Sequence, residues 1–353
     1  MQRFRIAGLL LGVMFGSSFA GAQVPKVERV IEIGCEDCGD ARQFASTWDV
    51  MVTEAGNVLV VDRDAPTLRL FDKAGKSLWT RGRPGSGPGE YRFAMRAALG
   101  RDGVVQVVDM RSRRLTRLAP DGTVSQSLTV PFFPAGIGVR RQTGELVFMT
   151  DDFKGGGTLQ RWPQSVDTPT KVATFATPTP GEATAISPSV AVAPNGDIAY
   201  LVSGDTYRVA RISAAGTALA DITRDIPRPK RTPQELAAVE KRIGSMGAAK
   251  AAAEGKQSSA AKPLMPSTAS RFEFKSHAAT DGLRYDDAGR LWLRTNRGAG
   301  RTTVFDVFSA LGGYVGEVTV PIAVESYSLA GSYLATATER ADGIPVVILW
   351  TVR

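Results

Sequence analysis

The chain has a single histidine, His277, and only two cysteines among its 353 residues. One imidazole excludes a metal centre built from several histidines. It also leaves the cysteines short of the two further soft ligands that a zinc site would need. No Gly-x-Ser-x-Gly elbow occurs and no phosphate-cradling glycine loop, so neither a serine-hydrolase nor a nucleotide-binding signature is present. After the first 22 residues no stretch is apolar enough to cross a bilayer, which takes roughly 20 apolar residues. Acidic side chains are the minority, 35 against 43 basic ones, for a formal charge of +8.

What is present begins with an export signal. Arg3 and Arg5 give a positive start, Ile6 to Phe19 an apolar run, and Ala20-Gly21-Ala22 a small-residue cleavage site before Gln23. The run is too short for a comfortable membrane anchor, and no cysteine follows the cleavage site to carry a lipid. The expectation is residues 1–22 as signal and 23–353 as the mature domain, periplasmic or extracellular. Losing Arg3 and Arg5 takes the charge from +8 to +6. A basic chain can mark a nucleic-acid binder, but export argues against nucleic acid. It favours acidic proteins or anionic envelope components as partners of a monomer.

The 37 glycines fall in a pattern. Gly56, Gly103, Gly144, Gly196, Gly289 and Gly331 each precede a β-rich run, such as Val58-Leu59-Val60-Val61-Asp62. The spacings are 47, 41, 52, 93 and 42 residues. A second turn glycine follows at a nearly fixed interval: Gly75, Gly122, Gly216 and Gly312. Glycine supplies the positive φ of a tight hairpin. Four strands per unit of this length, six times over, is the arithmetic of a six-bladed β-propeller. The last unit lacks its outer strand, and Val27–Ile33 is an orphan at the other end. Pairing it with Val346–Val352 would close the ring and remove two bare sheet edges.

These residues carry a resemblance. Arg81-Gly82-Arg83-Pro84-Gly85-Ser86-Gly87-Pro88-Gly89-Glu90-Tyr91 is similar to the Gly-x-Gly-Pro-Gly-Glu-aromatic signature of the bacterial six-bladed, NHL-like or TolB-like propellers. Gly289–Leu293, Phe305–Phe308 and Val318–Pro321 resemble members of the same group. The resemblance implies the fold and leaves the activity open.

The 93-residue spacing hides an insertion, about 227–270, between the fourth and fifth blades. Thr232-Pro233-Gln234-Glu235 is a capping box with proline at the first helical position. Leu236, Val239, Ile243 and Met246 then form an apolar stripe. From Arg228 to Lys275 there are ten basic residues and four acidic ones. This reads either as a basic arm meeting an anionic partner or as a short helix packed on the ring.

Functional candidates are few. Cys35 and Cys38 are expected to form a disulfide, the default in an exported protein; idle thiols or a redox or metal pair are the alternatives, disfavoured by Glu36, Asp37 and Asp40. Arg111, Arg113, Arg114, Arg228, Lys230 and Arg231 are candidate contacts for an anion or partner. The alternation around Leu115 suggests a half-exposed strand carrying Arg113 and Arg117. No catalytic set is recognised and no cofactor is expected. Calcium-dependent lactonases of propeller fold hold their metal with Glu, Asn and Asp, and Asp62, Asp109 and Asn296 are the counterparts available here. Each Asp after a Val-Val run is more simply a turn residue capping its own backbone. The reading is an exported binding or interaction protein. The alternative is a lactonase-like hydrolase or a lyase using channel carboxylates and a divalent cation such as calcium.

Overall fold

The computed structural model describes residues 23–39, 41–92, 94–132, 134–151, 156–176, 189–203, 206–239, 241 and 273–353. The signal segment and most of the insertion, including Ile243 and Met246, lie outside them. All ten turn glycines named above take positive φ, from 54° at Gly331 to 93° at Gly312, as their hairpins require.

Among the described residues those turns punctuate twenty-four strands in six four-stranded antiparallel sheets. The first blade is β1-free: β2 (Thr47–Val52), β3 (Val58–Asp62), β4 (Thr67–Phe71) and β5 (Ser77–Arg81), where β1 is Val27–Ile33. The second holds β6 (Ala94–Leu99), β7 (Val105–Asp109), β8 (Arg114–Leu118) and β9 (Val124–Thr129). The third holds β10 (Pro134–Arg140), β11 (Glu145–Asp151), β12 (Gly156–Trp162) and β13 (Thr170–Ala176). The fourth holds β14 (Val190–Val192), β15 (Ile198–Ser203), β16 (Arg208–Ile212) and β17 (Ala218–Thr223). The fifth holds β18 (Ala278–Tyr285), β19 (Leu291–Thr295), β20 (Thr303–Phe308) and β21 (Tyr314–Val320). The sixth runs β22 (Ser326–Ala330), β23 (Tyr333–Glu339) and β24 (Pro345–Val352), and β1 completes it from outside. The expected closure is therefore present, with Val27 opposite Val352 and Ile33 opposite Val347.

Burial explains the stacking. Every residue of β3, β7 and β19 is buried, because alternate side chains feed the two neighbouring blades. Val58 and Val60 pack toward the sixth blade, whereas Leu59 and Val61 pack toward the second. One hydrophobic cluster fills each of the six gaps between adjacent blades. Arg117 corrects the sequence reading. It lies buried in β8, donating to Gln106 at 3.1 Å and to the Gln164 carbonyl at 2.7 Å in the next blade. A strand sandwiched between blades has no solvent side, so its alternation does not mean exposure.

The glycine-rich connector between β5 and β6 is a folded loop. Glu90 accepts from the Gly87 N–H at 2.8 Å and from Arg83 at 2.9 Å, and Tyr91 is buried beside it. A Cβ on Gly82 would meet the Pro66 carbonyl at 2.8 Å, so no other residue fits there.

The insertion leaves between β17 and β18 on a two-legged stem. Arg231 N–H donates to the Glu273 carbonyl at 2.8 Å and Lys275 N–H to the Pro229 carbonyl at 2.7 Å. The helix α1 (233–239) follows, and its capping box is formed in both directions. Thr232 N–H donates to Glu235 at 2.8 Å and Glu235 N–H to the Thr232 hydroxyl at 3.2 Å. Lys275 ties the same Glu235 back to the stem at 2.6 Å. Thr232→Ala should cost about 1 kcal/mol of local helix stability. Faster amide exchange over 233–239 with an unchanged melting temperature of the ring is the expected outcome.

Candidate functional site in the central channel

In an up-and-down blade the turn after the innermost strand and the connection into the next blade fall on opposite faces of the ring. The first kind of turn laces one face shut. Arg101 pairs with Glu54 at 2.9 Å, and its N–H donates to the Arg141 carbonyl at 2.8 Å. Arg141, at the end of β10, reaches the Leu329 carbonyl at 2.8 Å in the opposite blade and Asp287 at 3.4 Å. Asp287 in turn accepts from the Gly331 N–H at 2.6 Å. One arginine thus spans the mouth of the channel.

Inside the ring three innermost strands and β19 bring together five charged side chains. Asp49 comes from β2, Arg96 from β6, Asp281 and Arg284 from β18, and Arg294 from β19. Asp281 is held by Arg284 at 2.6 Å and by Arg96 at 2.7 Å. Asp49 lies 3.7 Å from Arg96 and accepts from the Ser326 hydroxyl at 2.7 Å and the Val50 N–H at 3.1 Å. Both carboxylates are nearly sealed from solvent, at 2% and 7% exposure. Arg294 donates to the Val324 carbonyl.

Asp281 gets there by an irregular strand. The β18–β19 ladder skips from Ala278 to Leu283, and within the skip Asp281 has φ +52°. Its neighbour Gly282 is packed so closely that a Cβ would lie 2.6 Å from the Ala279 carbonyl. Asp-Gly reads in a sequence as a hairpin turn; here it is a bulge that aims a carboxylate inward. Left-handed backbone at a non-glycine residue stores strain, and such residues cluster at functional sites.

The two acids are pushed apart electrically. Burial raises Asp49 above its ordinary 3.8, opposed by Arg96 and reinforced by the charge of Asp281. Burial also opposes ionisation of Asp281, but Arg284 and Arg96 outweigh it and hold that carboxyl below 3.8. The signs follow from linkage. The contribution of Asp281 is present above about pH 4 and lost as pH falls through its folded value. That of Asp49 is present below 3.8 and lost as pH rises through its folded value. Asp49→Asn should therefore gain on the wild type as pH climbs from about 4 toward neutrality, measured as the difference between the two melting temperatures.

The cavity between this cluster and Arg141 is about 70 Å³. Organic ligands usually occupy roughly 300–1,000 Å³. Among the described residues no group of three or more His, Cys, Asp and Glu is placed to hold a metal ion.

The sequence candidates lie elsewhere. Asp62 accepts from the Ala45, Ser46 and Ala65 N–H groups at 2.9–3.1 Å. Asp109 accepts from those of Arg92, Arg111 and Ser112 at 2.6–3.0 Å. Asn296 donates to the Ser276 and Ala278 carbonyls. All three tie turns together, as the capping reading of the aspartates holds. His277 is buried with its ring 5.6 Å from Tyr207. Tyr207, Arg297 and Arg224 converge on the fully buried Asp306, Arg224 at 2.9 Å, at the root of the insertion. Cys35 and Cys38 are joined as a disulfide with their Cα atoms 5.7 Å apart.

Arg111 and Arg113 sit in the β7–β8 turn, Arg114 opens β8, and Arg228, Lys230 and Arg231 lie in the insertion stem. Both groups fall on the face opposite the Arg141 seal. They are not one cluster, because the third blade and most of the fourth intervene. Arg114 donates to the Gly87 carbonyl at 2.6 Å, Arg228 to Lys275 at 3.3 Å and Arg231 to Phe274 at 2.6 Å. Arg111, Arg113 and Lys230 are exposed, Lys230 pairing with Glu273 at 2.9 Å.

No protein-family model matches the chain, and no curated protein sequence does. Solved structures do match. One is a member of the DUF4221 family from Bacteroides vulgatus, with a TM-score of 0.54 and 7% identity over 93% of this chain and 99% of that one. Another, from Bacteroides fragilis, is named as an exported protein, at 0.53 and 8% over 93% and 95%. A third is a gluconolactonase from Xanthomonas campestris, at 0.51 and 13% over 87% of each chain. What is shared is the six-bladed propeller. At such identities the likeness shows the fold alone, and no helix among the described residues is long and apolar enough to cross a membrane.

Proposed function

We propose that this protein is an exported binding module. In this reading its ring presents the face bearing the insertion to an acidic partner, either a protein or an anionic envelope component. The observation that carries the reading is the channel, where a propeller enzyme would do its chemistry. Here Arg141 crosses one mouth, and the cavity between it and the charged cluster, as lined by the described residues, is about 70 Å³, room for a few waters but not for an organic substrate. The opposite face supports the same view, with Arg111, Arg113 and Lys230 exposed around the β7–β8 turn and the stem.

Electrostatic contacts of this kind weaken with salt. Retention of envelope material by the mature protein should fall as salt rises. The triple variant Arg111→Glu, Arg113→Glu, Lys230→Glu should lose it while melting as the wild type does. Undiminished retention by the triple variant would count against this face.

A hydrolase or lyase reading has one observation in its favour, the adjacent Asp49 and Asp281 with pKa values displaced in opposite directions, the pattern of an acid and base pair. Lactone turnover abolished by Asp49→Asn, or a rise in melting temperature with a divalent cation, would favour it.

A further inference from the structure

Arginines at one register position tie three of the blades to the next. Arg117, Arg161 and Arg211 stand opposite Gln106, Val147 and Ala199 in the ladders of the second, third and fourth blades. Each donates to a carbonyl of the following blade, that of Gln164, Gly196 and Ala310 respectively. The first two find more. Gln106 accepts from the Arg117 Nε at 3.1 Å, and Glu145 pairs with Arg161 at 3.3 Å. Arg211 faces an alanine instead. It is 7% exposed, and among the described residues its Nε has no acceptor and no carboxylate pairs with it. Its partners are the Ala310 carbonyl at 2.7 Å and the Tyr285 hydroxyl, both neutral. A buried guanidinium met only by neutral groups is poorly compensated.

Beside Arg211 the fourth and fifth blades leave a cavity of about 210 Å³ on the face that Arg141 seals. Its polar lining is Arg211, Tyr285, Asn195, Asp197 and Asp287, and the rest is alanine, proline and glycine. Asp287 is already set against Arg141 and the Gly331 N–H. Asp197 is not so matched. It accepts from the Ala214 N–H at 2.8 Å and the Asn195 amide at 2.9 Å, again neutral groups. Arg140 and Arg161 approach the same turn but donate to the Pro194 and Gly196 carbonyls. Among the described residues the cavity is therefore lined by one guanidinium without a carboxylate and one carboxylate without a cation, and the two do not pair with each other. The complement of such a lining carries both charges a short distance apart. The volume, below the roughly 300–1,000 Å³ of larger organic ligands, restricts it to a handful of heavy atoms.

We propose that this cavity binds a small free α-amino acid, its carboxylate on Arg211 and its ammonium on Asp197, with a short side chain against Pro194 and Ala288. The site lies on the face opposite the insertion and is independent of the partner-binding reading.

The test is calorimetric titration of the mature protein with glycine, L-alanine, L-serine and L-valine. Ethylamine, acetate and glucose serve as probes that carry one charge or none. At least one amino acid should bind saturably and raise the melting temperature, and none of the three controls should do so at the same concentration. Asp197→Asn and Arg211→Gln should each weaken binding on the order of ten- to hundredfold. Should Arg211→Gln fail to fold, Ala288→Trp decides: it stands at an exposed turn position, fills the cavity without touching either charge, and should abolish binding. No binding of any of the four amino acids, ethylamine or acetate bound as tightly as they are, or an affinity unchanged in Asp197→Asn or in Ala288→Trp would overturn the proposal.

Discussion

Deleting Val27–Ile33 should abolish cooperative unfolding of the whole ring. β1 is the outer strand of the sixth blade, paired along β24 from Val352 to Val347. It is also the element through which the two ends of the chain hold each other. Ile33 is fully buried in the cluster that joins the sixth blade to the first, beside Val50, Val58 and Val347. Without β1 the β24 edge is bare and that cluster opens, so the loss spreads to the seam between the first and last blades. Ile33→Ala alone should cost roughly 2–5 kcal/mol. Val30→Lys, at a half-exposed position of the same strand, should change stability by less than about 0.5 kcal/mol. Thermal melting followed by circular dichroism separates these outcomes. A truncated protein melting sharply within a few degrees of the intact one would show that the ring closes without β1.

The second large effect is expected at Asp281. Two guanidiniums, Arg96 and Arg284, lean on this one buried carboxylate. Asp281→Asn keeps a residue that tolerates left-handed backbone and removes only the charge. Stranding buried partners in this way costs about 3–5 kcal/mol. Asp281→Ala should cost a further 1–2 kcal/mol or so, because the φ of +52° is then imposed on a residue without that tolerance. Denaturant unfolding of the two variants at neutral pH checks both the size and the order. Equal stabilities would remove the strain argument.

The fold was legible because its determinants are local and repeated. Gly56 and its five counterparts each mark the corner of one hairpin, and a corner needs only its own residue to be recognised. The closing strand was legible because Val27–Ile33 alternates without a neighbour to pair with nearby. The channel cluster was not legible. Asp49, Arg96, Asp281 and Arg294 come from four strands and meet only once the ring closes, so no spacing in the chain connects them. Asp281-Gly282 looks like a turn, and only the skip in the β18 ladder shows it to be a bulge. Arg117 misled for the opposite reason. Its alternation with Leu115 looks like a two-faced strand, but inter-blade packing buries both faces. The basic residues that were singled out divide by chemistry. Arg114, Arg228 and Arg231 hold carbonyls within the fold, while Arg111, Arg113 and Lys230 stay on the surface.

The most direct test of the binding account is a pull-down from envelope extract with the mature protein beside a version lacking residues 233–266, both first shown to melt cooperatively. The stem that anchors the insertion, Pro229–Arg231 against Glu273–Lys275, is kept in both. The account predicts an acidic partner captured by the intact protein, released by salt and lost in the deletion. A partner held equally by both proteins, or nothing captured by either, would contradict it and turn attention back to the carboxylates of the channel.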